Sequence, residues 1–359
     1  MKLKEIEIFE FKSIKKDKFE INTNQLCLVG INESGKTSIL EAISFLNVLD
    51  KNLTTQLLNK NSGRYPNGFP VICGLFELSV SDFTTLIGWM VELENSVLKY
   101  ESHEPNFIYI KRWGNGFENI SITLSNLKDL HIDLIKLFEN QKSVFFDKFF
   151  NELYPFIEIY KNEDLLLEPA TIEDLKGKDS RFETFRRLLY VGGCTDLEIF
   201  NTDDANDIST FLHNIDIKLN AIFKRNYRQD ESITIHLNGY LKRFAIVIRD
   251  NSDSGFSINE RSPGFQYYFA FLVNKLYLNL LHEKRNVIYL LDEPGNNLHP
   301  KGAKDLLKTF EEVSTKNQII YTTHNPFLAL RNNLDSLIFV NKKAGAGSKV
   351  NRKPFLNKY

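Results

Sequence analysis

Cysteine is scarce, and its placement excludes the two chemistries it most often serves. Cys27, Cys73 and Cys194 are odd in number, widely spaced and without a CxxC pair. That leaves neither a disulfide framework nor a cysteine zinc site, and it points to a reducing cytosol. An excess of either charge is also missing, since 45 Lys and Arg face 46 Asp and Glu for a formal charge of −1. Global attraction to nucleic acid or to an acidic membrane surface is thereby excluded, and any such contact must come from a local patch. No run approaches the ~18 apolar residues of a membrane-spanning helix. Glu5, Glu7 and Glu10 stand where a secretory signal would be basic and then apolar. Internal repeats and long heptad runs are absent too. The composition that remains, 42% hydrophobic and 25% charged over 359 residues, is that of a cytoplasmic globular protein of about two domains, with no membrane partner.

What is present begins with strands. Residues 2–11 alternate in a rough period of two, Phe19–Ile21 continues in the same manner, and Leu26–Val29 is a short apolar run suited to a buried strand. That run ends in Gly30, and the residues after Lys36 place Ile39, Leu40, Ile43 and Leu46 at helical spacing. A loop and a strand follow across 61–80. From Asn126 to Ile222 the pattern turns mainly helical. Strand alternation returns at Ile233 with two runs that resemble a hairpin. RSPGFQ then opens a helix, NVIYLLDEP is a buried strand, AKDLLKTFEEV a helix, NQIIYTTH a strand and DSLIFVNK a last strand. This order predicts an α/β fold with an N-terminal lobe at 1–125, a helical insertion at 126–225, a C-terminal lobe at 226–345 and a basic tail at 346–359.

Three motifs carry chemistry. Gly30–Thr37 matches G-x-x-x-x-G-K-[ST], in which glycines let backbone amides turn inward around phosphates and the next helix points its positive end at them. The candidate ATP contacts are Gly30, Asn32, Ser34, Gly35, Lys36, Thr37 and Ser38. Lys36 reaches the β- and γ-phosphates, and the Thr37 hydroxyl ligates Mg²⁺. Val287–Leu291 is an apolar strand that ends in Asp292 and Glu293. Asp292 suits Mg²⁺ binding through water, and Glu293 suits the general base that polarises an attacking water. His324 closes the strand QIIYTTH, where it can contact a γ-phosphate.

Together with the stretch Gly295-Asn-Asn-Leu-His299-Pro300, these motifs resemble the head of the ABC ATPases, a mixed sheet with flanking helices, here with an inserted mainly helical subdomain. More narrowly they resemble the RecF/SMC-like and OLD (overcoming lysogenization defect) ATPases. The opening KLKEIEIFEFKSI looks like that group's start, and Glu260–Gln266 looks like its RSxGxQ signature. The likeness covers about 1–80 and 230–345. It implies that Ser262 and Gly264 contact the γ-phosphate held by a second subunit in a head-to-tail dimer, with Asn297 and His299 at the seam. An N-cap Ser followed by Pro is also an ordinary helix start. RSPGFQ departs from the LSGGQ of transporter ATPases, and only Gln56 offers itself as a glutamine-lid residue.

The resemblance implies an ATPase working as a homodimer, or a higher oligomer of dimers, in DNA-linked work such as repair or phage defence. A transporter ATPase subunit is the alternative reading, which the 225 residues between Thr37 and Ser262 oppose. Many OLD proteins carry a TOPRIM nuclease, but of the 35 residues after His324 only Asp335 is acidic, too few for its metal site. Two arrangements stay open: a chain that stops before such a domain, or a separate effector protein, nuclease or toxin. Lys224, Arg225 and Arg228 interleave with Phe223 and Tyr227, and the residues after Val340 include Lys342, Lys343, Lys349, Arg352, Lys353 and Lys358. Such clusters fit nucleic acid phosphates or, equally, solvated faces and a disordered tail.

Overall fold

The computed structural model describes residues 1–47, 57–58, 71–94, 106–112, 120–124, 145, 147–161, 169–201, 205–226, 230, 232–240, 243–251, 254–283, 285–296, 298–329, 334–343 and 347–351. Its strands are β1 (Lys2–Phe11), β2 (Ile14–Glu20), β3 (Gln25–Val29), β4 (Ile72–Leu78), β5 (Asn106–Arg112), β6 (Ile120–Leu124), β7 (Phe156–Tyr160) and β8 (Ala170–Thr171). They continue as β9 (Thr234–Tyr240), β10 (Arg243–Arg249), β11 (Gly255–Ser257), β12 (Val287–Leu291), β13 (Gln318–Thr323), β14 (Leu337–Lys343) and β15 (Gly347–Asn351). The α-helices are α1 (Lys36–Ser44), α2 (Val80–Glu94), α3 (Ile172–Lys176), α4 (Glu183–Val191), α5 (Ala205–Asn226), α6 (Pro263–Leu281), α7 (Pro300–Ser314) and α8 (Pro326–Ala329). Two compact units result. One comprises Met1–Ile159, Lys284–Asp292 and Phe310–Tyr359, and the other Tyr160–Glu283 and Glu293–Thr309.

The first unit is built on an 11-stranded sheet of order β6-β5-β4-β1-β2-β15-β14-β3-β13-β12-β7. Strands β14, β3, β13 and β12 are parallel neighbours. From β14 through β15, β2, β1, β4 and β5 to β6 every pairing is antiparallel. The parallel strands carry near-continuous apolar sequence, as VIYLL and QIIYTT do, and are buried along their whole length. Strands covered on both faces require that composition. Ile39, Leu40 and Ile43 of α1 join Leu3, Ile6, Leu28, Phe76 and Phe149 in the core of this unit. The result is the mixed α/β sheet with flanking helices that the order of elements predicts.

Two segments of the large sheet differ from the sequence reading. Residues 156–160, within the stretch read as mainly helical, form β7 at the β12 edge of the sheet. Pro155 stands between the π-turn Phe149–Leu153 and this strand, and proline cannot continue a helix. Residues 347–351, read as part of a basic tail, form β15 between β14 and β2.

The second unit contains α3 to α6 and a smaller sheet in which β10 lies between β8 and β11 and also pairs β9. α6 is its central helix, burying Tyr267, Phe269, Phe271, Leu272 and Leu278. Arg187 of α4 donates to Asn274 Oδ1 of α6 at 2.6 Å and lies 5.0 Å from the Tyr277 ring centroid. No helix among the described residues is long and apolar enough to cross a membrane. All three cysteines are buried and outside any disulfide, and burial pushes the Cys73 and Cys194 thiols up to about 11. They act as small apolar residues.

Candidate functional site

Parallel pairing brings three chain reversals to one edge of the large sheet. Val29 pairs Thr323, and Leu291 pairs Tyr321. The residues that follow each strand, Gly30, Asp292 and His324, therefore emerge at the carboxyl ends of β3, β12 and β13, where open α/β sheets place ligand sites.

The loop from Gly30 to Gly35 is shaped by backbone that side chains would obstruct. A Cβ on Gly30 would lie 2.3 Å from the Val340 carbonyl oxygen and 2.7 Å from Ser34 Oγ. Gly35 has φ 104 and caps α1, a left-handed conformation that favours glycine. Glu33 takes φ 61. Asn32 is exposed, Ser38 is half-buried and Lys36 is buried. The Lys36 ammonium turns back over the loop, donating to the Gly30 carbonyl at 2.9 Å and the Ile31 carbonyl at 3.2 Å. Ser34 Oγ is buried with no hydrogen-bond partner among the described residues. A buried hydroxyl in that state requires an explanation, and a phosphate oxygen in the cradle would supply the partner.

Asp292 is held from two sides. Thr37 Oγ1 lies 3.0 Å from both of its carboxylate oxygens, and Thr322 Oγ1 donates to Oδ1 at 2.7 Å. A hydroxyl beside a carboxylate at a helix start is the sparse protein share of a Mg²⁺ site, because this ion keeps waters and phosphate oxygens as its other ligands. Accordingly, no cluster of three or more His, Cys, Asp or Glu is present among the described residues. The residues fit ATP with Mg²⁺. Glu293 follows with φ 48, a left-handed conformation costly to a residue with a side chain and frequent at functional sites. His324 is exposed after β13, and Asn325 N donates to Thr323 Oγ1 at 3.0 Å, fixing the turn behind it.

The second unit holds the remaining residues singled out from sequence. Ser262 caps α6 and its Oγ accepts from Phe265 N at 3.3 Å, with Pro263 opening the helix. Gln266 Nε2 ties the segment down by donating to the Arg261 carbonyl at 2.7 Å. Arg261 donates to Asp250 Oδ2 at 2.8 Å and lies 5.0 Å from the Phe265 ring centroid. Ser262 and Gly264 border a cavity of about 680 Å³ together with Phe256, Phe265, His299 and Lys301. The signature segment and the residue expected at the dimer seam thus share one hollow.

Thr322 is a partner of Asp292 that motif spacing does not reveal. It lies in a strand whose register with β12 alone brings it to Asp292. The basic cluster is divided: Lys224 and Arg225 are exposed on the last turn of α5, but Phe223 is buried and stacks on Phe269 at 4.7 Å. Phe223 is a core residue and is not available to stack on a base. Tyr227, Arg228, Gln56, Asn297, Arg352, Lys353 and Lys358 lie outside the described residues.

Comparison with known proteins places these features in a family. The profile described as AAA ATPase domain matches residues 92–329, which contain Ser262, Asp292, Glu293 and His324, with the Gly30–Thr37 loop upstream. An uncharacterized protein of Methanocaldococcus jannaschii, MJECL43, is 31% identical over 150 residues, covering 40% of this chain and 39% of that protein. Endonuclease GajA of Bacillus cereus is 23% identical over 91% of this chain and 56% of its own length. Septu protein PtuA of Bacillus mycoides is 23% identical over 94% of this chain and 40% of its own length. The chain therefore spans about half or less of the length of these relatives. Among solved structures, an Smc head bound to the C-winged helix domain of ScpA superposes with a TM-score of 0.54 over 98% of this chain and 97% of that one, at 15% identity. The fold is that of an Smc head domain.

Proposed function

The chain belongs to the AAA ATPase domain family, and from that premise we propose that it binds ATP in the loop Gly30–Thr37, hydrolyses it, and does so in a dimer closed head to tail around the nucleotide. The observation that carries this reading is the cluster of Thr37, Asp292 and Thr322 beside a loop whose buried Ser34 hydroxyl has no protein partner among the described residues.

In this reading the Gly30–Gly35 amides and the Lys36 ammonium hold the β- and γ-phosphates, Asn32, Ser34 and Ser38 complete the cradle, and Thr37 with Asp292 holds Mg²⁺. When bound, Mg²⁺ neutralises charge on the transferring phosphoryl group. The Glu293 carboxylate orients the attacking water and accepts its proton, and His324 contacts the γ-phosphate. Ser262 and the Gly264 amide, at the positive end of α6, complete the site held by the other copy, with His299 at the seam. The two lobes, 1–125 and 226–345, form the ATPase together with β7, and the rest of the insertion 126–225 transmits the change or binds the partner. We propose further that turnover controls an effector in nucleic-acid-linked defence or repair. Alignment of nearly the whole chain with about half of an endonuclease supports that extension.

Steady-state phosphate release and equilibrium ATP binding test the core of the proposal. Wild type should turn over with Mg²⁺, and Glu293→Gln should bind but not turn over. Lys36→Ala should lose roughly tenfold to a hundredfold in affinity, the scale of a lost charge-assisted phosphate contact. Equal affinity in wild type and Lys36→Ala would overturn it.

A further inference from the structure

The least expected strand of the first unit touches the phosphate loop. β15 enters the large sheet between β14 and β2, pairing β14 from Phe339–Asn351 to Lys343–Gly347 but β2 at a single position, Gly347 with Ile14. Its attachment to the β1–β2 side comes instead from specific bonds. Ser348 N donates to the Ser13 carbonyl at 2.9 Å and Ser348 Oγ donates to Ser13 Oγ at 2.8 Å. Val350 N donates to Asp17 Oδ2 at 2.7 Å, and Lys349 Nζ reaches the Lys16 carbonyl. Gly347 has φ 74, and a Cβ there would meet the Ser13 carbonyl oxygen at 2.3 Å, so this turn too is closed to side chains.

The hydroxyl pair made by these bonds faces Gly35. A Cβ on Gly35 would lie 2.2 Å from Ser348 Oγ, 2.7 Å from Ser348 Cβ and 2.9 Å from Ser13 Oγ. Gly35 is the residue whose left-handed φ of 104 turns the loop into α1, and a phosphate loop works by holding successive amides convergent in such turns. Ser13 belongs to the β1–β2 turn, whose Lys12 also forms an ion pair with Glu41 of α1. That turn therefore grips the loop's last glycine on one side and its helix on the other. Ser348 is buried at 1% exposure, so its hydroxyl has no role in contacting solvent.

We propose that Ser13 and Ser348 are positioning residues for nucleotide binding: the β14–β15 hairpin wedges their hydroxyl pair against Gly35 and fixes the loop conformation that receives phosphate. This rests on the assignment of Gly30–Thr37 as the nucleotide site and adds a segment far along the chain that sets its affinity.

Equilibrium titration with a fluorescent ATP analogue and Mg²⁺, paired with thermal melting without nucleotide, tests the idea on Ser348→Val, Ser348→Ala and Asp17→Ala. Valine suits a strand but pushes a methyl group toward Gly35. Asp17→Ala loosens β15 at Val350 without touching the loop. Ser348→Val should bind about tenfold or more weakly, as expected when a binding group shifts by a fraction of an ångström, while melting no lower than Asp17→Ala. Ser348→Ala should fall between, and Asp17→Ala should keep wild-type affinity. Binding by Ser348→Val equal to wild type, or affinity losses that follow melting temperature alike in Ser348→Val and Asp17→Ala, would overturn this inference while leaving the nucleotide site intact. A wild type that binds no nucleotide would overturn both.

Discussion

Asp292 receives two threonine hydroxyls whose duties differ. Thr37 has to serve the metal as well as the carboxylate, whereas Thr322, fully buried on β13, donates only within the protein in this reading. Its bond fixes the carboxylate's orientation before any ligand arrives. Thr322→Val preserves shape and removes that donor. A hydrogen bond to a charged group contributes about 1.5–3 kcal/mol, so turnover should fall by roughly tenfold or more while ATP affinity without Mg²⁺ stays near wild type. Phosphate release measured across a Mg²⁺ titration checks this, and a variant with wild-type Mg²⁺ dependence would show Thr322 to be packing alone. The threonine was visible in the sequence, but its role was not. Motif spacing reports position along a strand, and only the β12–β13 register converts that into contact with Asp292.

Among the elements, β9 shows how a helix can finish a sheet. The strand pairs β10 on one side. On its other side α5 presents Asp216 and Asn220, four residues apart and so on one helical face. Asp216 Oδ1 accepts from Leu237 N at 2.8 Å and Asn220 Oδ1 from Ile235 N at 2.8 Å, while Asn220 Nδ2 donates to the Ile235 carbonyl at 2.7 Å. Two side chains thus stand in for a neighbouring strand, which otherwise leaves an edge open to pairing. Asn220→Leu should leave both Ile235 backbone groups unpaired at a cost of about 1–3 kcal/mol each. A lowered urea midpoint with retained helical signal would register it, and an unchanged midpoint would contradict it. Elements with strong local signals were legible in sequence: the buried strands VIYLL and QIIYTT, the hairpin at β9 and β10, and the Ser-Pro start of α6. β15 was not, because GSKVN is polar and buries little beyond Ser348. Its strand state comes from the slot between β14 and β2, a long-range cause that composition does not carry. β7 was hidden in the same way behind a helical pattern that Pro155 ends.

At the scale of the molecule, the α/β class was readable from the order of strands and helices, and the loop from Gly30 to Gly35 from the spacing of its glycines, which the close approaches at both positions require. The burial of Phe223 was not readable, since a basic helix end looks alike whether its aromatic faces solvent or Phe269. The central claim, that a triphosphate held by one copy is completed by Ser262 and Gly264 of another, concerns association. Light scattering of Glu293→Gln with and without ATP and Mg²⁺ therefore addresses it most directly. The account predicts a species near the chain's 41.7 kDa without nucleotide, a doubling of that mass with ATP, and no doubling when Ser262→Arg is added. A mass indifferent to nucleotide, or a doubling that survives Ser262→Arg, would contradict it.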